Sequence, residues 1–310
     1  MTARSRRTRR RTVIAGLVAV AALVAVSAVA VDAFEVREKL SNLERKIELF
    51  VDPPPDRAIA AAVRVTPEPD EGEYVDEESL EPTVAPSIEA GESAPPVPTA
   101  TPRPQKVKVD VNLLKKPDKW FISQLDKEAC AVAGTQMVLA LHGKGSLSES
   151  FQKEIESRID EWESRRDSLN GGWGPSAMVN ALEAYGVHGY EVRAYDTRGL
   201  ALRDAAKAIS RFHAPVILLS WRGAHTWIMT GYRADADPLV FKSAKVSGAY
   251  ILDPWYPRVS SIWGASDPPG GYQDAAEMRR NYLAWKRPEG HYPDRDGLFI
   301  AVVPTQTLDR

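Results

Sequence analysis

The chain has 310 residues, enough for one large domain or two ordinary ones, and is 44% hydrophobic and 26% charged. Its formal net charge of −2 leaves no general electrostatic case for a nucleic-acid partner. That average conceals an asymmetry: residues 1–12 hold six arginines and no acid, residues 52–105 hold twelve acids and twelve of the 23 prolines, and all eight tryptophans come after residue 119.

Behind the basic segment 1–12 comes an uncharged apolar run, Val13 to Val31, of 19 residues. As a helix it would be about 28 Å long, close to the hydrocarbon thickness of a bilayer. Arginines on one flank place the N-terminus on the cytoplasmic side. The run is longer than an ordinary signal-peptide core, so residues 13–31 are expected to be a single-pass signal anchor at the cell membrane. Ala28-Val29-Ala30 also fits a cleavage site, and cutting after Ala30 would release the rest as a secreted protein. Both readings put residues 32–310 outside the cytoplasm. Residues 32–51 carry Val36, Leu40, Leu43, Ile47 and Phe50 at alternating spacings of four and three. Such a seam predicts an amphipathic stalk helix, lying on headgroups or pairing two copies into a weak homodimer. Residues 52–105, rich in proline and acid with Tyr74 as the one aromatic, predict a disordered linker.

From 106 to 310 the text is that of one folded domain with a substantial core. "ACAVAGTQMVLALHG" predicts a buried helix closing at Gly143, and "SLSESFQKEIESRIDEWESRRDSL" an amphipathic helix opening on serine caps. "GGWGPSAMVNALEAYGV" places Pro175 in a first helical turn and Gly186 past the end. "HGYEVRAY" reads as a strand and "LALRDAAKAISRFHA" as a helix. "PVILLSW" and "AHTWIMTGY" read as strands joined by "RGA". "PLVFKSAKVSGAYILDPW" predicts a hairpin turning near Lys245 to Gly248, "QDAAEMRRNYLAWKR" a helix, and "GLFIAVVP" a closing strand. Helices and then a run of strands predict an α+β domain whose sheet is mostly antiparallel.

Cys130 is the only cysteine. Exported proteins usually pair their cysteines, so a lone one is a buried spectator, an intermolecular link or a reactive thiol. Asp126 in the preceding "DKE" is placed to cap the helix, which puts Cys130 in its first turn. There the dipole stabilises a thiolate, the form that attacks. Of the five histidines, His142, His188, His213 and His291 fall at element ends. His225 opens an apolar strand beside a flexible turn, where it is placed equally for a structural role or for facing a helix terminus. Asp253 ends the next strand run, stopped by Pro254. There it is either a turn residue or the group orienting an imidazole. Gln124, six positions before Cys130, would add a side-chain amide to the Cys130 backbone N–H as an oxyanion donor. Trp120, Trp173, Trp221, Trp227 and Trp255 flank these positions, most as core and one or two as cleft walls. The scattered His and single Cys lack metal-ligand spacing, and no Gly-rich phosphate loop occurs, so no cofactor is expected.

Gln124-x5-Cys130, the "H-x-W-x-x-T-G-Y" strand at His225 and Asp253-Pro254 together resemble the C39-like peptidases, relatives of the papain-like cysteine peptidases. "GGWGPSAMVNALEAYGV" resembles a further segment of that family, and the likeness runs over roughly residues 118–304. It implies a papain-like fold in 106–310, with Cys130 as nucleophile, His225 as base and acid, Asp253 as its orienter and Gln124 in the oxyanion hole. It also implies a peptide or protein substrate. Two departures are visible: Ala131-Val132 stand where the family usually has Gly-Pro after the nucleophile, and the interval from His225 to Asp253 is long. A transglutaminase-like acyltransferase shares the Cys, His, Asp order and the His-x-Trp of His225-Thr226-Trp227. A papain-like binding module on a stalk is the non-catalytic alternative.

Overall fold

The computed structural model of the protein describes residues 51, 55–67, 104–168, 173–286 and 290–307. The expected anchor at 13–31 lies outside them, as does nearly all of the stalk at 32–51. Among the described residues no helix is long and apolar enough to cross a membrane.

Helix α1 (Cys130–Leu141) arises from a run of small and apolar residues, and ten of its twelve positions are buried. It closes as expected at Gly143, whose φ of +68° is the left-handed conformation glycine adopts freely. In α2 (Glu149–Ser157) the Ser148 hydroxyl accepts the Phe151 N–H as the N-cap. The expected helix over 146–169 ends early, at Ser157. Beyond it the chain turns so that Trp162 packs against Trp173 and Tyr185. The same turn lets Asp167 accept the Ala177 N–H at the start of α3 (Pro175–Ala184).

A long sheet separates these helices from α4 (Arg198–Phe212) and α5 (Ala275–Asn281). Its main path runs β1 (Val63–Val65), β3 (Tyr190–Tyr195), β10 (Phe299–Pro304), β4 (Val216–Ser220), β5 (His225–Ala234), β6 (Val246–Leu252), β9 (Gly271–Asp274). The strand β2 (Val109–Asn112) pairs with the second half of β5. All pairings are antiparallel except β1 with β3. The side-chain period of two divides the core: Ile217 and Leu219 of β4 pack with α1–α3, whereas Val216 and Leu218 pack with α4 and α5. The α+β class with a mostly antiparallel sheet is therefore as read from the sequence, with helices on both faces.

Further expectations need correction. The expected linker 52–105 includes an ordered piece: Val63, Arg64 and Val65 pair in register with Arg193, Ala194 and Tyr195 at the sheet edge. Alternating β-branched residues suffice for such an edge strand even in a proline-rich stretch. The expected hairpin over 238–255 has only its second strand. Asp237 accepts the Leu239 N–H through its side chain and the Val240 and Phe241 N–H groups through its carbonyl, so 237–241 is a turn. The helix expected from Gln273 begins at Ala275, because Gln273 belongs to β9 and Asp274 is the N-cap.

Candidate active site

The site forms where the N-terminus of α1 meets the start of β5 and the end of β6. Packing sets this meeting through Gly134, one turn into α1. A Cβ there would lie 2.8 Å from Thr226 Cγ2, so only glycine lets the helix approach β5 so closely. Cys130 is the first residue of α1 and is partly exposed.

His225 is 2% exposed and Asp253 6%. The imidazole Nε2 lies 2.7 Å from Asp253 Oδ1, and Cys130 is near enough to the same ring to raise its pKa. With Nε2 engaged by the carboxylate, Nδ1 is the ring nitrogen left for another partner. Asp253 Oδ1 also accepts the Trp255 N–H at 2.9 Å, a turn that fixes the carboxylate as the strand stops at Pro254. Burial alone would drive the imidazolium to lose its proton. The Asp253 charge and hydrogen bond outweigh it, with Cys130 adding to them, and His225 is pushed up to about 9.

Trp221 stacks on the imidazole, with ring centroids 4.0 Å apart and planes at 20°. Trp255 meets it edge-on. Trp263, from the small hairpin of β7 (Val259–Ser260) and β8 (Gly264–Ala265), stacks on Trp221 in turn. Trp221 is held by an unusual backbone: Trp221, Arg222 and Gly223 all have positive φ, at 51°, 63° and 87°. Two non-glycine residues in the left-handed region in succession are strained, and such strain persists only where packing imposes it. Here Lys286 N–H bonds to the Arg222 carbonyl, and Trp221 Nε1 donates to Asn281 Oδ1 at 3.1 Å. Of the five tryptophans that flank the site in sequence, Trp221 and Trp255 are the two that meet the imidazole. Sequence reading missed Trp263 and the strained turn, for which "WRGA" holds only the glycine as a signal.

Gln124 is buried, and its backbone N–H donates to the Pro254 carbonyl at 2.9 Å. Its Nε2 donates to the Asp126 carbonyl at 2.7 Å, which fixes which end of the amide is nitrogen. One N–H of that nitrogen remains beyond this bond. Among the described residues Gln124 Oε1 is buried without a hydrogen-bond partner. Asp126 is not the cap expected for α1. Its Oδ1 accepts the Glu128 and Ala129 N–H groups just upstream, while the N-cap is Ala129, which makes no side-chain cap. The first N–H groups of α1, that of Cys130 included, thus keep no intrahelical partner. Ala131 and Val132, which stand where the resembled family usually has Gly-Pro, are buried in the core. Trp227 belongs to the core on the α4 face. Trp173 packs on Trp162, and Trp120 is exposed. His142 bonds Tyr190 Oη, and His213 takes the left-handed cap of α4, both away from the site. Among the described residues no cluster of His, Cys, Asp or Glu is arranged to hold a metal.

A search of curated proteins finds no match. Among solved structures the chain is similar to a double glycine motif protease from an AMS/PCAT transporter, crystallised with its leader peptide. The two are 20% identical over 60% of this chain and 91% of that one, with a TM-score of 0.29. The model of the Peptidase_C39 like family matches residues 118–287, more than half of the chain and the whole stretch from Gln124 through Cys130 and His225 to Asp253. The chain belongs to the Peptidase_C39 like family.

Proposed function

We propose that the protein is a cysteine peptidase in which Cys130 is the nucleophile, His225 the proton carrier, Asp253 its orienter and Gln124 an oxyanion donor. The observation that supports this is the buried His225–Asp253 hydrogen bond at the junction of α1, β5 and β6, with Cys130 at the helix start near enough to raise the His225 pKa. Side chains pointing apart would have favoured the binding module, and family membership favours peptide hydrolysis over the transglutaminase-like reading.

In this reading Cys130 and His225 react as a thiolate–imidazolium pair, the thiol's proton resting on the imidazole, and the thiolate attacks the substrate carbonyl carbon. The tetrahedral oxyanion is met by the Cys130 backbone N–H and the remaining N–H of Gln124 Nε2. The His225 imidazolium then protonates the amine as the C–N bond breaks, leaving a thioester on Cys130. Water, deprotonated by His225, hydrolyses the thioester, releases the acid and restores the thiolate–imidazolium pair. Asp253 keeps Nδ1 aimed at the sulfur throughout. The stacked Trp221 excludes water from the imidazole face, which strengthens the Asp253 interaction.

The rest of the proposal rests on the sequence: a single-pass anchor at 13–31 with the N-terminus in the cytoplasm, and the peptidase domain outside it acting on peptide or protein substrates. A weak homodimer through 32–51 belongs to the same reading. Profiling the full chain against a peptide library tests the activity. Wild type should cleave a subset of peptides, and Cys130→Ala and His225→Ala should each lose that cleavage. Equal cleavage by wild type and Cys130→Ala would refute the assignment.

A further inference from the structure

Two buried glutamines lie behind the site. Gln152, on α2, and Gln136, on α1, are both fully enclosed. Gln152 Oε1 accepts the Leu125 N–H at 2.8 Å, and its Nε2 donates to the Ser123 carbonyl at 3.2 Å. The amide thus pairs with the backbone groups on either side of Gln124, as a neighbouring strand would. Gln152 Nε2 also donates to Gln136 Oε1 at 2.9 Å. Gln136 Nε2 in turn donates to the Ser146 and Ser148 carbonyls at 2.8 and 2.9 Å. Each amide is oriented by a partner that can only donate or only accept, so the relay has one arrangement.

On its other side the same segment is held by the loop that carries Asp253. Gln124 N–H bonds to the Pro254 carbonyl, and Arg258 donates to the Leu125 carbonyl at 3.0 Å. The Ser123–Leu125 segment therefore hangs between the helical layer and the Asp253 loop, with Gln152 as its tie to the helices. A merely structural amide would satisfy the same backbone groups. The difference is that this tie brackets the one residue whose placement against Cys130 sets the oxyanion site.

We propose that Gln152, held by Gln136, is a positioning residue: it sets where the Ser123–Leu125 segment lies and through it where the Gln124 amide stands relative to Cys130. This rests on the reading of Gln124 as an oxyanion donor. Two probes separate the effects. Iodoacetamide alkylates Cys130 by displacement of iodide at a saturated carbon, with no oxyanion. With p-nitrophenyl acetate the sulfur attacks the acetyl carbonyl through a tetrahedral oxyanion, p-nitrophenolate leaves, and the acetyl thioester is then hydrolysed to acetate.

In the full chain in detergent, Gln152→Met should lower acylation by p-nitrophenyl acetate roughly 10–100-fold. Its alkylation rate and alkylation pH profile should stay within about twofold of wild type, the span expected when the transition state carries no oxyanion. Gln136→Met should show a smaller loss of the same kind. In a Gln124→Ala background Gln152→Met should cost no more than about a further twofold, as for residues acting through one another. Acylation and alkylation falling together, or the full Gln152→Met loss persisting without the Gln124 amide, overturns the proposal. So does Gln124→Ala acylating at the wild-type rate. Should Gln152→Met show no cooperative unfolding transition, Gln136→Met decides by the same criteria. A wild-type Cys130 that reacts with neither probe faster than free cysteine overturns the peptidase reading itself, and this proposal with it.

Discussion

His225 is enclosed, stacked under Trp221 and still charged up to about pH 9. Its folded pKa lies above the ordinary imidazole value of ~6.5, so the charged pair stabilises the fold fully below about pH 6.5. That contribution is lost as pH rises through about 9. In the proposed mechanism the same proton is delivered to the leaving amine, so peptide turnover should fall above about pH 9. Asp253→Asn removes the charge that outweighs burial. The alkaline limb of the pH–rate profile should then move to lower pH, with turnover reduced by ~10²-fold or more; a limb that stays at the wild-type position contradicts the account. That Cys130 opens a helix, His225 opens a strand and Asp253 follows the end of one is legible in the sequence, because each stands where a hydrophobic run starts or stops. Gln152 and Gln136 are not legible, because in a polar amphipathic helix or an apolar one a single glutamine carries no sign of which backbone groups it will meet.

At the scale of elements, α1 and β5 are aligned by the Gly134–Thr226 contact, and the β4–β5 connection aims Trp221 at the imidazole. Gly223 holds φ at +87°, and a Cβ there would come within 2.3 Å of the Trp285 ring. Gly223→Ala should destabilise by about 1–3 kcal/mol and loosen the Trp221 stack. Urea denaturation should show a lowered midpoint with an unchanged slope, and peptide turnover should fall with it; a midpoint equal to wild type contradicts this. The main helices and strands are legible because hydrophobic period and glycine or proline stops agree over long windows. What is missed is short or decided elsewhere. The turn at 237–241 wins over the apolar Leu239 and Val240, both of which end up exposed, because Asp237 offers the backbone local hydrogen bonds.

For the molecule as a whole, the edge strand β1 ties the chain upstream of the acidic stretch to the folded domain. Besides its pairing with β3, Arg165 N–H bonds to the Pro55 carbonyl, Ser164 Oγ donates to the Arg57 carbonyl, and Asp56 pairs with Arg165 and Arg166. Exposed ion pairs of this kind contribute little, so the strand pairing and the backbone bonds carry most of the effect. A chain starting at residue 106 should therefore melt a few degrees below one starting at 52, at about 2–4 °C per kcal/mol for this size. Equal melting would show that the strap adds nothing. The domain start expected at 106 rests on the change of composition there. A three-residue strand whose partner lies some 130 residues away in the chain leaves almost no compositional trace. The central claim, that helix terminus, imidazole and carboxylate together make Cys130 a nucleophile, is tested most directly by its alkylation with iodoacetamide at pH 6. The account predicts that Cys130 reacts faster than free cysteine and that Cys130→Ala abolishes the labelling. A wild-type Cys130 reacting no faster than free cysteine would contradict it.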